Sequence, residues 1–401
     1  MAKIKVLLVD DEPSVLKVIQ MAMRCTIDCD VRTATSGDQA LRIMESDHFD
    51  ALVADINMPG MDGATLISVV AELYPKTMRL IFTARSPATG DIGLRTAGAA
   101  HLFYLKPTDI SIVANKIKSI LKLRDHLPAE GMDQIVAHIR SLPSMPSSFA
   151  ELDHELRKPN SSMETVGRIL ETDIAMSAKV LQLVNSSFFG MRERVTRPSQ
   201  AAVLLGGQVM KSLLLGLHIF TEWNKQAIPN FSMQELWHHG LNVASGAQKI
   251  ALAEGCTREQ ADEFYAAGLF HDIGKIIIAD NLPQSCDLIQ KMVAERGISI
   301  LQAEMEVLGA SHAEAGAYLM ALWGFSDNIV NACAFHHHPS GFTGSGFNTV
   351  TAVHVANVFD YETALREKAP LEVLDQEYIT REGFAPRLDA WRKAVGQSTA
   401  T

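Results

Sequence analysis

Cysteine is scarce. The chain has five in 401 residues (Cys25, Cys29, Cys256, Cys286 and Cys333), and no two form a Cys-x-x-Cys pair. That excludes a disulfide-stapled fold and a cysteine-rich zinc site, and it fits thiols in a reducing compartment. Long apolar runs are also missing: Leu213–Leu217 is broken by Gly216 and closed by His218. No membrane-spanning helix is expected, since one needs about 18 or more apolar residues. The apolar segment after Met1-Ala2-Lys3-Ile4-Lys5 is too short for a signal peptide and soon meets acid. Basic excess is absent, with 36 Lys and Arg against 46 Asp and Glu and a net charge of -10. A broadly basic nucleic-acid surface is therefore excluded. No P-loop, GxGxxG or nucleophile elbow occurs. What the chain does have is 47% hydrophobic residues, 17 Met and only 6% aromatics, which suits helical cores. Its length allows about two or three domains.

The first 122 residues alternate strand and helix. Short apolar runs at Lys5–Val9, Val31–Ala34, Ala51–Ala54, Leu80–Phe82 and Leu102–Leu105 read as buried parallel strands. Helical spacing marks Pro13–Arg24, Asp38–Glu45, Asp62–Leu73, Ile92–Ala97 and a last helix with Ile110, Val113, Ile117, Ile120 and Leu121. This pattern predicts an α/β doubly wound, five-stranded parallel sheet with helices on both faces. The strand ends carry Asp10-Asp11, Asp55, Thr83 and Lys106. In an open parallel sheet these carboxyl ends converge on one crevice. Clustered carboxylates need a cation, and oxygen ligands suit Mg²⁺. With the Lys106 charge and the Thr83 hydroxyl they make a clamp for a phosphoryl group arriving at a carboxylate.

This segment resembles the receiver domain of two-component response regulators. The matching residues are Val6-Leu-Leu-Val-Asp-Asp-Glu12, Asp55, Met58-Pro-Gly-Met-Asp-Gly63, Thr83-Ala84 and Tyr104-Leu-Lys-Pro107. The resemblance implies that Asp55 accepts phosphate from a sensor histidine kinase, assisted by Thr83 and Lys106. It implies Mg²⁺ held by Asp10, Asp11 and Asp55, with Asn57 adding its backbone carbonyl. Thr83 and Tyr104 would be the switch pair.

Residues 123–132 read as a linker, into which the last helix can run. Residues 133–397 read as one all-α unit, from Asp133–Ser141 to Pro386–Val395, with a glycine-rich loop at Ser340–Gly346. Its histidines follow an order: His239, His271-Asp272, His312, then His336-His337-His338, with Asn357 and Asp360 beyond. Imidazole with carboxylate suits Fe, Mn, Zn or Ni. Arg192-Glu-Arg-Val-Thr-Arg197 offers cations to a phosphate, or reads as a solvated loop.

That order resembles the HD superfamily of metal-dependent phosphohydrolases, and residues 135–395 more closely resemble its HDOD branch, the HD-related output domain. Leu142-Pro-Ser-Met-Pro146, Ile169-Leu-Glu-Thr-Asp173, Leu181–Gly190, Ala201–Gly206 and Ala321–Ser326 carry the likeness. The resemblance implies a second metal site from His239, His271, Asp272, His312, His336, His337 and Asp360, holding Fe, Mn or another divalent metal. Two departures bear on activity. The Gly-Tyr-Pro and following Asp of the cyclic-di-GMP-cleaving branch are replaced by Pro339-Ser-Gly-Phe-Thr-Gly-Ser-Gly346. The family's final ligating Asp aligns with Asn357, and Asp360 lies one turn on.

The resemblance favours a cytoplasmic response regulator whose HDOD output acts through contacts with an unidentified downstream protein. Phosphorylation would make the receiver face dimerise or release the helical domain. The alternative is a phosphorylation-controlled HD-type phosphohydrolase acting on nucleotides or cyclic dinucleotides. No basic recognition helix follows the linker, so direct DNA binding is not expected.

Overall fold

The computed structural model describes residues 3–84, 99–126, 143–144, 146–158, 160–185, 194–211, 221–222, 228, 231–364 and 373–396. β1 (Ile4–Val9), β2 (Cys29–Ala34), β3 (Ala51–Ala54), β4 (Met78–Thr83) and β5 (Leu102–Leu105) form one parallel sheet in the order β2-β1-β3-β4-β5. This is the flavodoxin-like order, whose switch point lies between β1 and β3. Val9 pairs with Ala54, and Thr83 with Leu105. Asp55 N donates to Val9 O (2.8 Å) and Lys106 N to Thr83 O (2.7 Å). The ladder thus runs one residue past the strands and sets the predicted site residues along one edge.

α1 (Pro13–Thr26) and α4 (Ile110–His126) bury Leu16, Ile19, Val113 and Ile117 against one face of the sheet. α2 (Gly37–Ser46) and α3 (Gly63–Leu73) bury Ala40, Met44, Ile67 and Val70 against the other. Ser36 and Asp62 cap α2 and α3 by accepting the N–H of Gln39 and Thr65. These caps satisfy backbone donors that a helix start leaves free. α4 runs past the expected boundary at residue 122 to His126, and Arg124 pairs with Asp50 at 2.8 Å. The predicted helix at Ile92–Ala97 and that at Asp133–Ser141 lie outside the described residues.

Beyond α4 the described chain is helical except for a two-residue parallel ladder, Pro143–Ser144 with Thr221–Glu222. In order come α5 (Pro146–Arg157), α6 (Met163–Glu171), α7 (Ile174–Asn185), α8 (Pro198–Lys211), α9 (Met233–Ala253) and α10 (Arg258–Phe270). α11 (Ile273–Asn281), α12 (Pro283–Arg296), α13 (Ile300–Leu308), α14 (His312–Leu322) and α15 (Asp327–Phe335) follow. A short 3-10 turn at Pro339–Gly341 leads to α16 (Thr349–Ala364), α17 (Gln376–Arg381) and α18 (Leu388–Val395).

Periodicity does not reveal α11, for a physical reason. Ile273, Ile276, Ile277 and Ile278 are all buried, so the helix has no polar stripe to reveal it. Gly274 in its first turn is required by packing: a Cβ there would run into the backbone carbonyl of His312. Gly268 plays the same part against the α9 backbone at Ala244. These close approaches draw α9, α10, α11 and α14 together, and the conspicuous histidines lie where they meet. One buried core runs on from the α1 and α4 side of the sheet into the helical part, which includes Val243, Phe270 and Leu319. No described helix is long and apolar enough to cross a membrane.

Candidate phosphoacceptor site and metal centre

At the sheet edge, Lys106 Nζ lies 2.6 Å from Asp10 Oδ2 and 2.8 Å from Asp55 Oδ2. Burial alone would lower the Lys106 pKa, but hydrogen bonds and charge from the two carboxylates outweigh it and hold it above the ordinary value. Asp10 is buried, Asp55 half-buried, and Asp11 and Asn57 exposed on the crevice side. Asp10 Oδ1 accepts from Glu12 N (2.9 Å), and Asp55 Oδ1 from Asn57 N (3.3 Å). A Cβ on Gly63 would strike the carbonyl of Asp55, so glycine there lets α3 start directly beneath the acceptor. Thr83 is buried, and its hydroxyl has no hydrogen-bond partner among the described residues. An unpaired buried hydroxyl is costly, and it suits a group that donates to an arriving oxyanion. Tyr104 is half-buried, with burial pushing its phenol up to about 12.

The second site is built around Asp272. Its Oδ1 lies 3.1 Å from His312 Nε2 and 3.5 Å from His336 Nε2. Its Oδ2 lies 3.5 Å from His271 Nε2, 3.6 Å from His239 Nε2 and 2.6 Å from Lys275 Nζ. Each of these four imidazoles has its other nitrogen held from behind. His271 Nδ1 donates to Gly268 O (2.7 Å), and His336 Nδ1 to Cys333 O (2.8 Å). His312 Nδ1 meets Glu304 Oε2 (2.7 Å), and His239 Nδ1 meets Asp360 Oδ2 (2.7 Å). Anchoring Nδ1 in this way fixes the tautomer and leaves Nε2 facing inward as a metal ligand. His337 Nε2 approaches His312 Nε2 at 2.9 Å.

Two groups of side chains bring ligand atoms mutually within 4.8 Å: Asp272 with His312, His336 and His337, and Asp272 with His239 and His271. One carboxylate shared between two nitrogen-rich groups matches a bridging ligand of a two-metal site. Among the described residues, the buried Nε2 atoms of His239, His271 and His336 have no hydrogen-bond partner, and neither polar atom of the buried Asn357 amide has one. Three orphaned imidazole nitrogens around one carboxylate fit a bound cation.

Electrostatics agree. Asp272 is held well below the carboxylate range, because Lys275 and the neighbouring imidazoles of His271, His312 and His336 outweigh the cost of burial. Burial lowers His271, His336 and His337, keeping their imidazoles neutral as ligands must be. His312 runs the other way: burial would lower it, but Glu304 and Asp272 raise it to about 9. Asp360 sits behind His239. It belongs to neither ligand group; it orients His239 and accepts from Asn242 Nδ2 (3.0 Å). Glu304 and Lys275 were not singled out from sequence. Glu304 lies eight positions before His312 across a turn, in no motif, and only the fold joins them. Of the Arg192–Arg197 run, Arg197 neighbours Glu171 (3.5 Å) and Asp262 (3.4 Å), and Arg194 reaches Gly324 O (3.1 Å).

Comparison with known families completes the picture. The response regulator receiver family model matches residues 6–118, and the HDOD domain model matches residues 142–339. The chain joins a response regulator receiver domain to an HDOD domain. An uncharacterized protein of Treponema pallidum is 27% identical over 51% of this receiver–HDOD chain, and the match spans only 39% of that relative. The transcriptional regulatory protein TrcR of Mycobacterium tuberculosis is 32% identical over 31% of this chain and 48% of its own length. Among solved structures, the MmoQ response regulator of Methylococcus capsulatus is 18% identical, covering 65% of this chain and 95% of that one, with a TM-score of 0.47. An HDOD domain protein of unknown function from Geobacter sulfurreducens is 22% identical over 71% of this chain and 90% of its own, with a TM-score of 0.36.

Proposed function

We propose that this receiver–HDOD chain is a phosphorylation-controlled regulator whose helical domain carries a divalent metal centre. A histidine kinase delivers a phosphoryl group to Asp55, where Asp10, Asp11, Asp55 and the Asn57 carbonyl would hold Mg²⁺. Lys106 and Thr83 then hold the new phosphoryl oxygens. In the helical domain, Asp272 with His239 and His271, and Asp272 with His312, His336 and His337, would hold the metal. When bound, Fe or Mn there would activate water for phosphoester hydrolysis. Lys275 supplies a fixed positive charge beside that centre. The observation that carries the reading is the set of imidazoles with Nδ1 anchored and Nε2 aimed at Asp272.

A second reading, output through protein contacts alone, draws on two observations. The loop at 339–346 lacks Gly-Tyr-Pro, and the side chains of His271, His312 and His336 are fully buried.

The receiver half is tested with acetyl phosphate and Mg²⁺. Intact-mass analysis is expected to show one added phosphoryl group, lost in Asp55→Asn; an unchanged gain in that variant removes Asp55 as acceptor. The helical half is tested with bis-p-nitrophenyl phosphate after Mn²⁺ loading. Turnover that disappears in Asp272→Asn supports hydrolysis, whereas metal binding without turnover leaves the protein-contact output.

A further inference from the structure

α14 and α15 form a helical hairpin joined by Trp323-Gly-Phe-Ser326. His312 is the first residue of α14, and His336 and His337 follow the last residue of α15. The hairpin therefore carries three metal-facing imidazoles at its open end. The closed end, roughly 15 Å away at 1.5 Å per residue, touches the receiver. Lys116 Nζ on α4 lies 3.3 Å from both Phe325 O and Asp327 Oδ1. Gly324 has φ +76°, and a Cβ there would stand 3.0 Å from Leu102 Cδ2 of β5. Arg194 Nη1 binds Gly324 O and acts electrostatically on Tyr104. Beside this turn lies a cavity of about 760 Å³, lined by Tyr104, Lys116, Gln182, Arg194 and Trp323 among others. Gln182 is 7% exposed, and its Oε1 has no hydrogen-bond partner among the described residues.

From this arrangement we infer that the α14–α15 hairpin couples the receiver to the metal centre. Tyr104 is paired with Phe82, next to Thr83, and it faces the cavity into which the turn can shift. A movement there is carried by α14, buried along almost its whole length, and by α15, which buries Ile329, Val330, Ala332 and Cys333, because packed elements move as units. The same helices set the positions of His312, His336 and His337. Binding linkage is reciprocal: if the phosphoryl state of Asp55 changes metal affinity, metal loading changes affinity for the phosphoryl group by the same factor. The inference rests on the metal-centre reading, and it assigns Lys116, Arg194 and Gly324 as coupling residues.

The test uses the full chain in excess Mg²⁺, with beryllium fluoride as the phosphoryl mimic. Mn²⁺ affinity is measured by competition with a chelating dye, and amide hydrogen exchange is followed over residues 312–337. Wild type is expected to show at least a fivefold change in Mn²⁺ affinity on adding the mimic, with altered exchange in the hairpin. In Lys116→Met/Arg194→Met the change should fall below twofold, while Mn²⁺ still binds. Equal Mn²⁺ affinity with and without the mimic overturns the coupling alone. An unchanged shift in the double variant removes Lys116 and Arg194 from the route and overturns the assignment. Absence of Mn²⁺ binding in either state overturns the metal reading itself, and the coupling with it.

Discussion

Lys179 on α7 is 2% exposed, and its ammonium lies 5.0 Å from the centre of the Trp323 ring. Burial pushes its pKa down to about 7 from 10.5. Between those two values the unfolded chain binds more protons than the folded one, so this residue makes stability rise with pH. At neutral pH its burial costs up to about 4 kcal/mol at 1.36 kcal/mol per unit. Lys179→Met is therefore expected to raise the melting temperature at pH 7, with the gain shrinking toward pH 10. A gain that stays constant across that range contradicts the assigned burial cost. Glu304 is a positioning residue for His312. Glu304→Gln should weaken metal binding by about 10–100-fold, as loss of such an orienting carboxylate does, and should bring the His312 pKa down. A chelator competition read with an imidazole NMR titration checks both. The sequence already displays Asp10, Asp55, Thr83 and Lys106, because strand ends in a parallel sheet converge. It does not display Glu304 or the orienting role of Asp360. Both act on histidines far off in the chain or across a turn, and no periodicity encodes such a pairing.

Helices announce themselves through caps and stripes. Ser162, Ser232, Thr257, Ser299, Ser311 and Ser326 each accept an N–H at the start of a helix. Capping boxes at Ser299 and Ser311 set the starts of α13 and α14. α11 escapes because it is buried on nearly every side, and α17 because it has only six residues. Yet α11 matters to the site: Gly274 lets it touch α14 at His312. Gly274→Ala is expected to cost about 1–3 kcal/mol, the usual range for overpacking a core, and to reduce metal binding as well. Thermal unfolding and metal titration of the variant measure the two effects. A variant with unchanged stability would contradict the close approach. Gly255→Ala is the control: its φ of +82° is strained for alanine, but nothing crowds the added methyl. It should lose stability without losing metal.

At the scale of the whole molecule, a charge-separated crevice on a parallel sheet is joined to a nitrogen-rich centre in a helical domain. The core is continuous between them. The two-part organisation is visible in the sequence, since strand alternation stops near residue 122 and helices follow. The docking of the α14–α15 turn on α4 and β5 is not visible there. It depends on Lys116 reaching a backbone carbonyl in the helical domain and on a glycine lying against Leu102. If a metal binds the folded centre and not the unfolded chain, loading must raise stability by mass action. Chelation followed by Mn²⁺ addition should therefore lower and then restore the melting temperature, with little effect in Asp272→Asn. The central claim, that Asp272 and its histidines hold a metal, is tested most directly by metal analysis of purified protein loaded with Mn²⁺ or Fe²⁺ and passed through a desalting column. Wild type is expected to retain at least one equivalent per chain, falling to background in a folded Asp272→Asn. A wild-type protein that emerges metal-free after loading would contradict it.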